Sequence, residues 1–85
     1  MTSGKMTLRD LEIDVVATVS EVLSDGSELG KGFKTRLEAM GLIQGRTVRV
    51  LRKAAAGGPY EVRVGSTTEI AIRRSEAELV RVSPA

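Results

Sequence analysis

Between Thr47 and Ile72 the chain alternates apolar with polar residues in three short bursts, and this period of two constrains the fold more than any other feature. Val48 and Val50 flank Arg49. Tyr60, Val62 and Val64 enclose Glu61 and Arg63, and Ile70 and Ile72 follow Glu69. Successive side chains of a strand point to opposite faces, so each burst reads as a strand with one buried face and one wet face. The last two bursts also carry a register test. A two-residue turn at Gly65-Ser66 would set Val62 against Glu69, mixing charge with apolar surface. A three-residue loop, Gly65 to Thr67, instead pairs Val64 with Thr68 and Val62 with Ile70. A slip of one residue turns every side chain to the wrong face, so the longer loop is expected.

The flanking segments complete a small β domain. Asp14 to Leu23 is rich in Val and Thr and predicts a first strand, with Val15, Ala17 and Val19 facing inward. Ser24 to Gly32, all Gly, Ser, Leu and charge, reads as a loop. Phe33, Leu37 and Met40 then fall at i, i+4 and i+7, one apolar stripe on a helix of about two turns. Gly41 follows as the left-handed residue that ends it. Gly45 suits the third position of a type II turn. Ala54 to Pro59 reads as a flexible connector. Ser75 reads as the cap of a short turn from Glu76 to Leu79, and Val80 to Val82 as a last strand.

Five short strands with one short helix between strands 1 and 2 make a mostly β domain, a small SH3-like barrel. With 85 residues there is room for one domain. Residues 1–6 read as a disordered tail and residues 7–83 as the barrel. The expected core is Leu8, Leu11, Val15, Ala17, Val19, Phe33, Leu37, Met40, Leu42, Val48, Val50, Val62, Val64, Ile70, Ile72, Leu79 and Val82.

Composition removes whole classes of chemistry. The sequence has no cysteine and no histidine, so it lacks thiolate nucleophiles, disulfides, the usual general base and the commonest metal ligand. Ser and Thr have no base to activate them, and an enzyme is not expected. No cofactor and no metal site is assigned. Glu76 and Glu78, with Glu21, Asp25 or Glu28, could gather an ion, but such acids are read first as a solvated surface. No apolar run approaches the ~20 residues of a spanning helix, and no signal peptide is evident, so a cytoplasmic protein without direct membrane insertion is expected. Formal charge is +2. Outward arginines suit an acidic partner or a nucleic-acid backbone, but one Tyr and one Phe give little for bases to stack on.

From Leu37 to Gly45 (LEAMGLIQG) the pattern turns specific. A helix ending in Leu-x-x-Met-Gly-Leu-x-x-Gly, followed by Thr47-Val48-x-Val50, resembles the ferrous iron transport protein A family, FeoA. The resemblance continues through Gly57-Gly58-Pro59, Val62-Arg63-Val64, Glu69 to Arg73, Glu76-Ala77 and Val80-Arg81-Val82. It implies a bacterial cytosolic SH3-like barrel. The implied partner is FeoB, a membrane ferrous-iron transporter with a cytosolic GTPase domain, which the family is thought to modulate. Similar domains end some metal-dependent repressors. With no helix-turn-helix ahead of it, this one is expected to be free-standing. Two departures stand out: Gln44 replaces a usual proline, and Ala55 stands in a loop that tends to hold one, so that loop is expected to be looser. A small nucleic-acid-binding barrel and a transition-metal-responsive regulatory domain are the alternatives.

Partner contacts are assigned to Phe33, Arg36, Leu37, Gly57, Gly58 and Pro59. The helix stripe is read first as core. The docking alternative leaves an edge at Phe33 or Leu37 exposed, rimmed by Lys34, Arg36 and Glu38. The glycine-rich loop is read first as a connector and otherwise as an adaptable contact.

Overall fold

The computed structural model describes residues 6–24 and 27–84, except for the side chains of residues 28–30. The expected tail therefore lies outside the described residues, apart from Met6. Its elements in chain order are strand β1 (Val16–Val22), helix α1 (Glu28–Ala39), strands β2 (Thr47–Lys53), β3 (Tyr60–Val64) and β4 (Thr68–Ile72), short helix α2 (Arg74–Ala77) and strand β5 (Val80–Pro84). The strands form a single antiparallel sheet in the order β4-β3-β2-β1-β5. The ladder slips between Val19 and Glu21 on β1 and between Val50 and Arg52 on β2. Bulges of this kind bend strands sharply, which lets so small a sheet curl around its own core. The last hairpin has the expected register, Val64 opposite Thr68 and Val62 opposite Ile70.

The two edges of the sheet are treated differently. Thr7 bridges to Arg81, Leu8 N–H donates to Val80 O at 2.9 Å, and Val82 N–H donates to Met6 O at 3.0 Å. The N-terminal segment thus covers the outer side of β5. Met6 packs against the core and is structured, where the sequence had suggested tail. Among the described residues β4 has a ladder on one side only, towards β3.

The core joins Leu8, Leu11, Leu37 and Leu42 to the inward residues of the strands, among them Ala17, Val19, Val48, Val50, Val62, Val64, Ile72 and Val82. Met40 and Ile70 pack against it half-buried, and Phe33 and Leu79 are half-buried too. Val15 is a correction: it is 39% exposed. Asp14 takes φ 69°, a left-handed conformation that a short polar residue tolerates. It breaks the extended chain, so β1 begins only at Val16. Val22, Tyr60, Ala77 and Val80 are buried in addition.

Helix α1 is longer than expected and begins inside the stretch read as a loop. Gly30 and Gly32 each weaken a helix by about 1 kcal/mol. Ser27 ahead of the helix and Glu28 in its first turn are starting signals that compensate, and Ser27 O accepts from Lys31 N–H at 2.9 Å. The helix ends as the sequence indicated. Gly41 sits at φ 100°, Gly41 N–H donates to Glu38 O at 3.0 Å, and Leu42 N–H donates to Leu37 O at 3.1 Å. That bond pair is a Schellman motif, and its apolar clasp joins buried Leu37 to buried Leu42.

Candidate docking surface

Helix α1 sorts its stripe by depth. Leu37 is 0% exposed and fills the core. The structure therefore removes it from the contact residues, because no partner can reach it while the domain stays folded. Phe33, one turn earlier, is half-buried at the rim, and Arg36 is exposed. These two line a groove with Pro59 at the start of β3, Ala71 and Ile72 of β4, and Arg73 and Glu76 of the α2 turn. A second groove adjoins it, lined by Gly57, Gly58, Pro59, Arg73, Arg74, Ser75 and Glu78. Pro59 and Arg73 belong to both. Five of the assigned contacts (Phe33, Arg36, Gly57, Gly58 and Pro59) thus come together, and Leu37 does not.

The glycine-rich loop is a tight turn rather than a loose connector. Ala54 N–H donates to Pro59 O at 3.1 Å, and Gly58 N–H donates to Ala55 O at 3.2 Å. Ala56 at φ 57° and Gly57 at φ 78° occupy the two central positions. Positive φ at both is the type I′ geometry, whose twist matches that of paired strands. Gly58 is packed closely: a Cβ there would lie 2.7 Å from Ala54 Cβ. Gln44 likewise leaves its turn intact, since Gly45 takes φ 88° and Arg46 N–H donates to Ile43 O at 3.1 Å.

Electrostatics divide this surface into a neutralised part and a basic part. Glu76 is only 1% exposed, which corrects its reading as a solvated acid. Its Oε1 accepts from Arg73 N–H at 2.8 Å, closing the N-terminus of α2 from the third helical position. Its Oε2 pairs with Arg36 of α1. The cap is therefore at Arg73 and not at Ser75. Glu78 pairs with Arg9 at 2.8 Å. Both acids of the grooves are thus ion-paired, whereas Arg73 and Arg74 have no ion-pair partner among the described residues. No group of three or more Asp or Glu among the described residues is arranged to hold a metal, and Asp25 and the side chain of Glu28 lie outside them.

The FeoA domain family's sequence model matches residues 6–84. The chain belongs to the FeoA family. A crystal structure of Stenotrophomonas maltophilia FeoA, complexed with zinc and described as a prokaryotic SH3-domain protein, is 34% identical. The alignment covers 92% of this chain and 89% of that one, with a TM-score of 0.78. The FeoA protein of Chlorobium tepidum is 32% identical over 93% of this chain and 70% of its own, with the same TM-score of 0.78. A manganese-dependent transcriptional repressor superposes with a TM-score of 0.82 at 18% identity, over 99% of this chain and 38% of its own, and shows the fold alone. No curated protein matches the chain in sequence. The five-stranded SH3-like fold and the association of the FeoA family with ferrous iron transport therefore hold for this chain. Among the described residues no helix is long and apolar enough to cross a membrane.

Proposed function

We propose that this FeoA protein is a non-enzymatic cytoplasmic accessory of ferrous iron uptake that docks on the cytosolic part of a FeoB-type transporter and modulates it. One observation carries the reading. The helix α1 rim, the type I′ turn and the α2 corner converge on adjoining grooves that offer apolar surface at Phe33 and Pro59 beside Arg73 and Arg74, two guanidiniums with no ion-pair partner among the described residues. Exposed apolar surface rimmed by arginine is the composition of a protein interface. The S. maltophilia relative, described as a candidate bacterial ferrous iron transport activating factor, supports the process. Nucleic acid is disfavoured as the partner. Tyr60 is buried, and Arg52, Arg63 and Arg81 face Glu61, Glu69 and Glu21, which interrupts any basic track.

Docking modulates a transporter only if the domain binds one transporter conformation better than another. The test is capture of the transporter's purified cytosolic portion by the full chain and by Arg73→Glu/Arg74→Glu. Both side chains are exposed, so the variant should melt at the parent's temperature and retain under a tenth of the affinity. Binding at parental strength by a folded double variant overturns this surface.

A further inference from the structure

On the far side of the sheet a row of side chains runs straight across four strands. Val16 of β1 stands opposite Arg49 of β2, Arg49 opposite Arg63 of β3, and Arg63 opposite Glu69 of β4. The row reads apolar, positive, positive, negative. Directly opposed residues are the closest neighbours a sheet provides, and like charges there repel. Only one arginine of the pair is neutralised. Arg63 Nη2 donates to Glu69 Oε2 at 2.8 Å, whereas Arg49 has no ion-pair partner among the described residues. The set Arg49, Arg63 and Glu69 therefore carries one positive charge in excess.

Two further observations point to what balances it. Arg63 Nε is buried and has no hydrogen-bond acceptor, and a guanidinium donor left unmade out of water is costly. Beside the arginines the sheet opens a recess lined by Val16, Thr47, Arg49, Arg63, Gly65 and Ser66. Beside the arginines its wall is made of small and polar residues, Thr47, Gly65 and Ser66, with the Arg46 side chain next to Gly65.

The structure assigns this recess as a binding site for a small oxyanion, a carboxylate or a phosphate, held between Arg49 and Arg63. A single negative charge brings the three-residue set to neutrality. It also turns one repulsion into two attractions and places an acceptor beside the Arg63 guanidinium, whose side chain is 38% exposed. Guanidinium forks match the paired oxygens of both anions. The site shares no residue with the docking grooves and stands or falls independently of them.

The experiment follows the arginine Nε–Hε resonances of the ¹⁵N-labelled full chain during titration with sodium phosphate and, separately, sodium acetate, against chloride at matched ionic strength. Saturable shifts confined to Arg49, Arg63 and the Thr47 and Ser66 amides are expected, with affinity at least tenfold weaker in Arg49→Gln. Whichever anion saturates at the lower concentration identifies the class. Shifts that rise linearly, spread over all arginines or persist in Arg49→Gln overturn the assignment. Melting gives a second reading. In chloride, Arg49→Gln relieves the repulsion and raises the melting temperature by about 2–4 °C, and the anion-dependent rise of the parent disappears. A variant that melts lower than the parent in chloride removes the premise.

Discussion

Replacing Arg36 with alanine strips the counter-charge from a carboxylate that has almost no access to water. Glu76 is 1% exposed, and its two partners are the Arg73 N–H and the Arg36 guanidinium. Removing one member of a fully buried pair costs about 3–5 kcal/mol, because the other is left charged and dry. Here the Arg36 side chain is 49% exposed, so water replacing it reaches the mouth of the site and screens part of the loss. About 2–3 kcal/mol is expected for Arg36→Ala. Glu76→Gln removes the charge, keeps an oxygen for the Arg73 N–H and frees a guanidinium that water can solvate, so about 0.5–1.5 kcal/mol is expected. The order decides the mechanism. In the Arg36→Ala background, Glu76→Gln should restore stability, since the uncompensated charge is what costs. Urea unfolding of the parent, both single variants and the double variant measures this, with equal m-values confirming a common unfolded state. Arg36→Ala within about 0.5 kcal/mol of the parent, or a double variant less stable than Arg36→Ala, refutes the reasoning.

Other substitutions test neighbouring parts of the account. Leu37→Ala empties a fully buried core position and should cost about 2–5 kcal/mol in urea unfolding, so any loss of docking by this variant reports unfolding and not a lost contact. Gly41→Ala places a Cβ 3.2 Å from Val64 Cγ1 at φ 100°; a loss of about 1–3 kcal/mol is expected, read as a lower urea midpoint. Ala56→Gly relieves a left-handed alanine at φ 57° and should raise stability by up to about 1 kcal/mol, the strain relief exceeding the entropy that glycine adds to the unfolded chain.

The strands were the most legible part of the chain, for a physical reason. Alternation over Val48 to Ile72 encodes burial directly, and the hairpin loop length then fixes the pairing of Val62 with Ile70. Elements governed by a single residue's backbone were read less well. Val15 continues the alternating pattern, but Asp14 breaks the strand just before it. Gly30 and Gly32 disguised the first half of α1, where starting signals outweigh propensity. The candidate site was legible as a set of segments and not as a geometry. The helix, the glycine-rich turn and the outward arginines were all visible, yet which stripe residue sinks and which stays at the rim depends on the helix's rotation over the sheet. Glu76 was the clearest miss. A Glu three residues after Arg73, the first residue past the strand, is half of a capping box, and that spacing was the available signal. Its burial, however, depends on Arg36, forty residues earlier in the chain.

The docking account is tested most directly by adding the transporter's cytosolic portion to the ¹⁵N-labelled full chain and mapping which backbone amides broaden. Broadening should concentrate at Phe33 and Arg36, at Gly57 and Gly58, and at Arg73 to Ser75, leaving Arg49 and Arg63 sharp. Broadening centred on Arg49 and Arg63, or none at saturating concentrations, contradicts it.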